Sequence, residues 1–132
     1  MSYRFDHIAL LVRDLDESIA FLTGVLGLTE IANPMGGTAI RWVEIGDGRR
    51  LHIQAGDMSA VRVEKQTHFA LSTGDFDAIL GRFRRDGVAF SDMQGTLGAI
   101  NMRPDGMRAI FLQDPNGYWF EVNDWEPDGS RK

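Results

Sequence analysis

The pattern His-x-Ala-Leu occurs twice, at His7-Ile8-Ala9-Leu10 and at His68-Phe69-Ala70-Leu71, and each copy opens a run of the same make-up. In both, a β-prone apolar segment leads into one amphipathic helix and then into three short strand-like runs, so the spacing predicts two βαβββ modules. The first helix starts at Asp14, an N-cap with Glu17 three residues on, carries Leu15, Ile19, Leu22 and Leu26, and stops at Gly27. The second starts near Asp75, carries Phe76, Ile79, Leu80 and Phe83, and stops at Gly87. The expected strands are 28–33, 39–46 and 50–55 in the first module, and 88–92, 107–114 and 118–123 in the second. Turn formers separate them, Gly46-Asp47-Gly48 and Asp114-Pro115-Asn116-Gly117 most clearly. Module boundaries fall at about 4–56 and 65–124, within one domain, and Met93 to Gly106 is the longest loop, readable as a lid or as a plain surface loop.

A repeated strand pattern also sorts side chains, because neighbours along a strand face opposite ways. Ile8, Leu10 and Val12 suit packing under the helix, which leaves His7 and Ala9 on the other face. By the same alternation His68 lies opposite Phe69 and Leu71, His52 opposite Leu51 and Ile53, and Glu121 opposite Phe120 and Val122. The chain has three histidines, and all fall at related positions on the face away from the helices, with Glu121 completing the set. A lone strand histidine is more often a surface or hydrogen-bonded residue; it is the exhaustiveness of the pattern that favours a shared metal. With no cysteine in the sequence, any such metal sits on nitrogen and oxygen, and disulfides and thiolate nucleophiles are excluded.

Fourteen Lys and Arg against nineteen Asp and Glu give a net charge of −5, without a basic stripe, which argues against a nucleic-acid partner. No long apolar span argues for insertion in a membrane, and the first residues carry no apolar signal core, so a cytoplasmic protein is expected.

The stretches DHIALLVRDLDESIAFLTGVLGL, GDGRRLHIQAG, THFALSTGDFDAI and FLQDPNGYWFEVND together resemble the glyoxalase, bleomycin-resistance and extradiol-dioxygenase superfamily, also called vicinal oxygen chelate, over residues 4 to 123. The resemblance implies an α+β fold, its two modules forming a partly open eight-stranded, barrel-like cup around a metal. It implies His7, His52, His68 and Glu121 as ligands and a homodimer as the assembly. The donor set suits Mn²⁺, Fe²⁺, Co²⁺, Ni²⁺ or Zn²⁺. The chemistry it implies is glyoxalase-like: a small-molecule lyase or isomerase in which the metal, as Lewis acid, stabilises an enolate or oxyanion and Glu121 is the catalytic carboxylate. His52, however, stands where glyoxalase I usually has Glu and methylmalonyl-CoA epimerase Gln. An alternative is an extradiol-type dioxygenase holding Fe²⁺ on His7, His68 and Glu121, with His52 surplus; another is a metal-free binding protein of the bleomycin-resistance type. Fosfomycin-resistance enzymes match in length, but Phe111 falls where they typically carry Tyr. Candidate pocket residues are Trp42, Arg103, Arg108 and Phe111, although an aromatic in a strand is more often core and an arginine more often solvated.

Overall fold

The hairpin Asp47-Gly48 shows how local sequence sets the architecture. Both residues have positive φ, 54° and 71°, the requirement of a two-residue type I′ turn, and they join the antiparallel strands β3 (Ile40–Gly46) and β4 (Arg49–Ala55). In the computed structural model, which describes residues 1–126, β4 then pairs in parallel with β1 (His7–Val12), and β2 (Thr29–Ile31) closes the far edge against β3. The order is β1-β4-β3-β2, and the second module repeats it as β5-β8-β7-β6, from β5 (His68–Ser72), β6 (Asn101–Met102), β7 (Arg108–Gln113) and β8 (Trp119–Asn123). The chain divides between Arg62 and Val63 into two units, each an α+β module with one four-stranded mixed sheet. No helix of the described residues is long and apolar enough to cross a membrane.

Parallel pairing of a module's first and last strands needs a crossover, and the helices supply it. Asp14 caps α1 (Leu15–Ala20) by accepting from the Glu17 amide at 2.9 Å. The helix does not run on regularly to Leu26. At Phe21–Val25 it widens into a π turn, with the Leu26 amide bonded to the Phe21 carbonyl, while the Thr23 hydroxyl takes the Ile19 carbonyl at 2.8 Å. A side-chain donor inserted into the ladder in this way relaxes the helical register. In the second unit α2 (Phe76–Asp86) buries Phe76, Leu80 and Phe83 and ends at Gly87, whose φ of 69° is the left-handed stop expected of it.

The alternation of faces holds in β1 and β4, whereas β7 is buried on both faces from Ala109 to Leu112. Leu10, Val12, Val43, Leu51 and Ile53 are buried in the first, and Ile110, Leu112, Phe120 and Val122 in the second. One strand differs from expectation. Residues 88–92 contribute only isolated bridges at Ser91, to Leu97 and to Phe111, with which it exchanges two 2.9 Å backbone bonds, and the sixth strand is Asn101–Met102, inside the expected loop. The Asp92 side chain bonds the Thr96 amide at 2.8 Å and bends the chain away, so the edge of β7 is shared between Ser91 and β6.

The turn into β8 hangs on Asp114, 8% exposed, whose carboxylate accepts from the amides of Asn116 (2.9 Å) and Tyr118 (2.7 Å) and from the Asn116 side-chain amide. Burial pushes its carboxyl above the usual aspartate value despite these bonds, so ionised Asp114 costs stability as pH rises above that of a free carboxyl. Asp114→Ala orphans buried amides and should cost about 1–3 kcal/mol. Asp114→Asn keeps one acceptor oxygen for the two backbone amides but sets its own amide NH2 against Asn116 Nδ2, so it should destabilise less than Asp114→Ala, and its deficit against wild type should be smaller at pH 7 than at pH 3.5. Denaturation scans at the two pH values check the sign.

Candidate metal centre and adjoining pocket

In the second unit the register sets Ala70 beside Glu121, so a small side chain occupies the adjacent site and His68, two residues back, reaches across to the carboxylate. His68 Nδ1 lies 2.8 Å from the Lys65 carbonyl. A carbonyl only accepts, so the imidazole proton belongs on Nδ1 and Nε2 carries the lone pair. Nε2 stands 3.6 Å from Glu121 Oε1, too far for a hydrogen bond. Two donors each about 2.0–2.2 Å from one ion stand about 3–3.5 Å apart, and the pair approaches that spacing. The other oxygen, Oε2, accepts a short hydrogen bond from Asn123 Nδ2, which fixes the carboxylate. Both side chains are mostly buried, His68 at 20% exposure and Glu121 at 13%. Beneath them Phe111 meets the His68 ring edge-on at 5.3 Å and forms a core with Met107 and Ala109, against which Met93 and Trp119 pack. Lys65 bonds Ser91 Oγ and the Asp92 carbonyl and lies 4.6 Å from the Trp119 ring centroid, so its charge is engaged locally.

A cleft of about 370 Å³ opens beside Glu121, lined also by Ser72, Arg103, Met107, Asn123 and Trp125. Arg103 contacts Asp105 at 2.7 Å and Met107 Sδ at 3.4 Å and remains half exposed. Trp125, 39% exposed, offers an aromatic wall. Arg108, five residues on, has another task. Its guanidinium grips Asp77 on α2 (2.8 Å) and buried Asp124 (2.9 Å) and lies over Phe76, and both carboxylates hold it protonated far above any physiological pH. It clamps helix to sheet. Phe111, 1% exposed, serves the core.

The first unit arranges its candidates differently. Register places Ala9, His52 and Trp42 side by side across β1, β4 and β3, the same sequence of small residue, candidate ligand and aromatic as Ala70, Glu121 and Phe111. Here the rings stack. His7 lies on His52 at 3.9 Å between centroids, and His52 on Trp42 at 4.1 Å, each pair within 9° of parallel. Arg50, the register neighbour of His7, lies 5.0 Å from the Trp42 ring centroid and reaches Asp6, which in turn contacts His7 Nδ1 at 2.7 Å. Burial, then the charges of His7 and Arg50, push the His52 imidazole below its usual value, so it is neutral at pH 7. Its Nε2 is buried without a partner.

Among the described residues no three His, Asp or Glu side chains converge to hold a metal; the four expected ligands stand as two pairs, one in each unit. The partners Asp6, Lys65, Asn123 and Trp125 are absent from the expected set. Asn123 was within reach of the sequence, since it follows Glu121 by two and so shares its face.

Residues 4–122 match the model of the Glyoxalase/Bleomycin resistance protein/Dioxygenase superfamily. The chain belongs to that superfamily. The chain is 30% identical over 127 residues to "Uncharacterized protein YwbC" of Bacillus subtilis (strain 168), covering 92% of this chain and 97% of that one. Among solved structures it is similar to "Oxidase ChaP-H2", at 30% identity and a TM-score of 0.77, with 98% of each chain covered. The fosfomycin resistance protein FosX from Listeria monocytogenes shares the fold at a TM-score of 0.71 and 22% identity, again over 98% of each chain.

Since Asn123 holds Glu121 and Glu121 is a candidate ligand, Asn123→Ala should weaken Mn²⁺ binding by about 10- to 100-fold, whereas His68→Ala and Glu121→Ala should weaken it more. Titration calorimetry on the three variants orders them.

Proposed function

We propose that this superfamily member is a metal-dependent oxidase acting on a small organic molecule, with dioxygen as oxidant. The observation that carries the reading is the His68–Glu121 pair: a lone pair fixed on Nε2 by the Lys65 carbonyl, a carboxylate fixed by Asn123, and 3.6 Å between the donors. A histidine and a carboxylate held in this way are two of the three donors that non-haem Fe²⁺ oxygenases use. The 30% and 29% identities to the oxidases ChaP-H2 and ChaP-H1 favour this over the lyase or isomerase alternative. So does Glu121 itself. A carboxylate bonded by Asn123 and set beside His68 is arranged to hold an ion rather than to swing and collect a proton.

When bound, a redox-active divalent metal supplies Lewis acidity toward substrate oxygens and an electron path to dioxygen. The chain's own residues do the rest. Arg103 offers a half-exposed cation at the cleft for an anionic substrate oxygen, Trp125 and Met107 give it an apolar wall, and the Met107–Ala109–Phe111 core excludes water from beneath the ligand pair. We further propose cytoplasmic residence and a homodimer as the working assembly.

The test is loading with Fe²⁺ without air, then measuring oxygen uptake with catechols and other enediols, beside isomerisation of hemithioacetals by the same protein loaded with Ni²⁺ or Zn²⁺. Oxygen uptake that depends on both Fe²⁺ and substrate is expected. Hemithioacetal turnover without any uptake would return the chain to proton-transfer chemistry. Metal at a thousandfold over its dissociation constant should also stabilise the fold by about 4 kcal/mol, read as a rise in melting temperature.

A further inference from the structure

The ring column on β1, β4 and β3 is at odds with counting His7 and His52 as neighbouring ligands. An imidazole binds a metal along the lone pair in its own plane. Rings in stacking contact have planes about 3.4 Å or more apart, so any ion lies at least about 1.7 Å from one of them. With a metal–nitrogen bond of about 2.0–2.1 Å, one bond would then point more than about 50° out of its ring plane, where no lone pair exists. The observed pair, 3.9 Å between centroids and 9° from parallel, is in this arrangement. The orphaned Nε2 of His52 does not reverse the conclusion, because an ion placed to satisfy it leaves the plane of His7.

We infer that His52 is a positioning residue and not a ligand: it is the middle ring of a column that holds the plane of His7 while Asp6 holds His7 Nδ1. Trp42 backs it at 4.1 Å, and Arg50, 5.0 Å from the Trp42 ring, also reaches Asp6, so all five side chains form one continuous brace. The inference rests on the metal-dependent reading above, and its content is that a flat ring, not a nitrogen, is needed at position 52.

His52→Phe separates the two roles, since it keeps the ring and removes both nitrogens. Mn²⁺ affinity by titration calorimetry should stay within a few-fold of wild type in His52→Phe, fall by about 10- to 100-fold in His52→Ala, where the brace is lost, and fall further in His7→Ala. The melting temperature of metal-free His52→Phe should hold or rise, because a buried nitrogen without a partner disappears and no cavity is left. An affinity in His52→Phe as low as in His7→Ala overturns the inference and leaves the metal reading standing. A wild type that takes up no Mn²⁺, Fe²⁺ or Zn²⁺ sinks the metal reading instead, and the column is then judged by nuclear magnetic resonance. There the His52 ring protons should be shifted upfield by Trp42 and move back in Trp42→Ala; unshifted protons in the wild type overturn the column as well.

Discussion

Parallel pairing between the first and last strand of each module is the constraint on which the rest depends. It places Ala9 beside His52 and Ala70 beside Glu121, each alanine leaving room for the histidine two residues earlier to approach its partner. Parallel neighbours cannot be joined by a tight turn, so a helix must cross over, and that helix claims one face of the sheet for its apolar side chains. Donor residues are thereby confined to the other face. A hairpin in place of the crossover would remove both the neighbour relation and the sidedness at once.

The two units share this scaffold and use it for different physics. In the second, the site face is covered by the Met107–Ala109–Phe111 core and Met93, and its polar groups are held by specific partners, the Lys65 carbonyl and Asn123. A low-dielectric floor strengthens those bonds and makes the pair's geometry costly to disturb. In the first, the aromatic at the matching register position is Trp42, and the position matching Glu121 holds the His52 imidazole instead of a carboxylate. Two neutral flat rings beside each other gain by stacking, which a carboxylate over Phe111 does not.

Much of the fold was legible, because helix caps and strand alternation are local. Asp14 and Gly87 terminate helices where their chemistry requires, and the buried faces of β1 and β4 follow the period of two. The sixth strand was not legible: VAFSD has strand composition, but the bend at Asp92 depends on Thr96, and which segment reaches the edge of β7 is decided by a loop closing on itself. The site was partly legible for the same reason. Four donors on one face are a pattern, whereas the tasks of Arg103 and Arg108 depend on acids elsewhere. Asp77 and Asp124, 31 and 16 residues from Arg108 in sequence, convert it into a clamp, while Arg103 pairs only two residues away and stays at the cleft. No local signal distinguishes these arginines.

The partners of the imidazole nitrogens carry the argument one step further. His68 faces a neutral carbonyl and His7 a carboxylate, Asp6, whose own carboxyl is held below its usual value first by the bond to His7 and then, against the pull of burial, by Arg50. Arg50 draws charge from that carboxylate and, lying over Trp42, ties the same electrostatics to the ring column. The charge of Asp6 and the orientation of the His7 ring thus involve one connected group of side chains, and a change at Arg50 acts on both together.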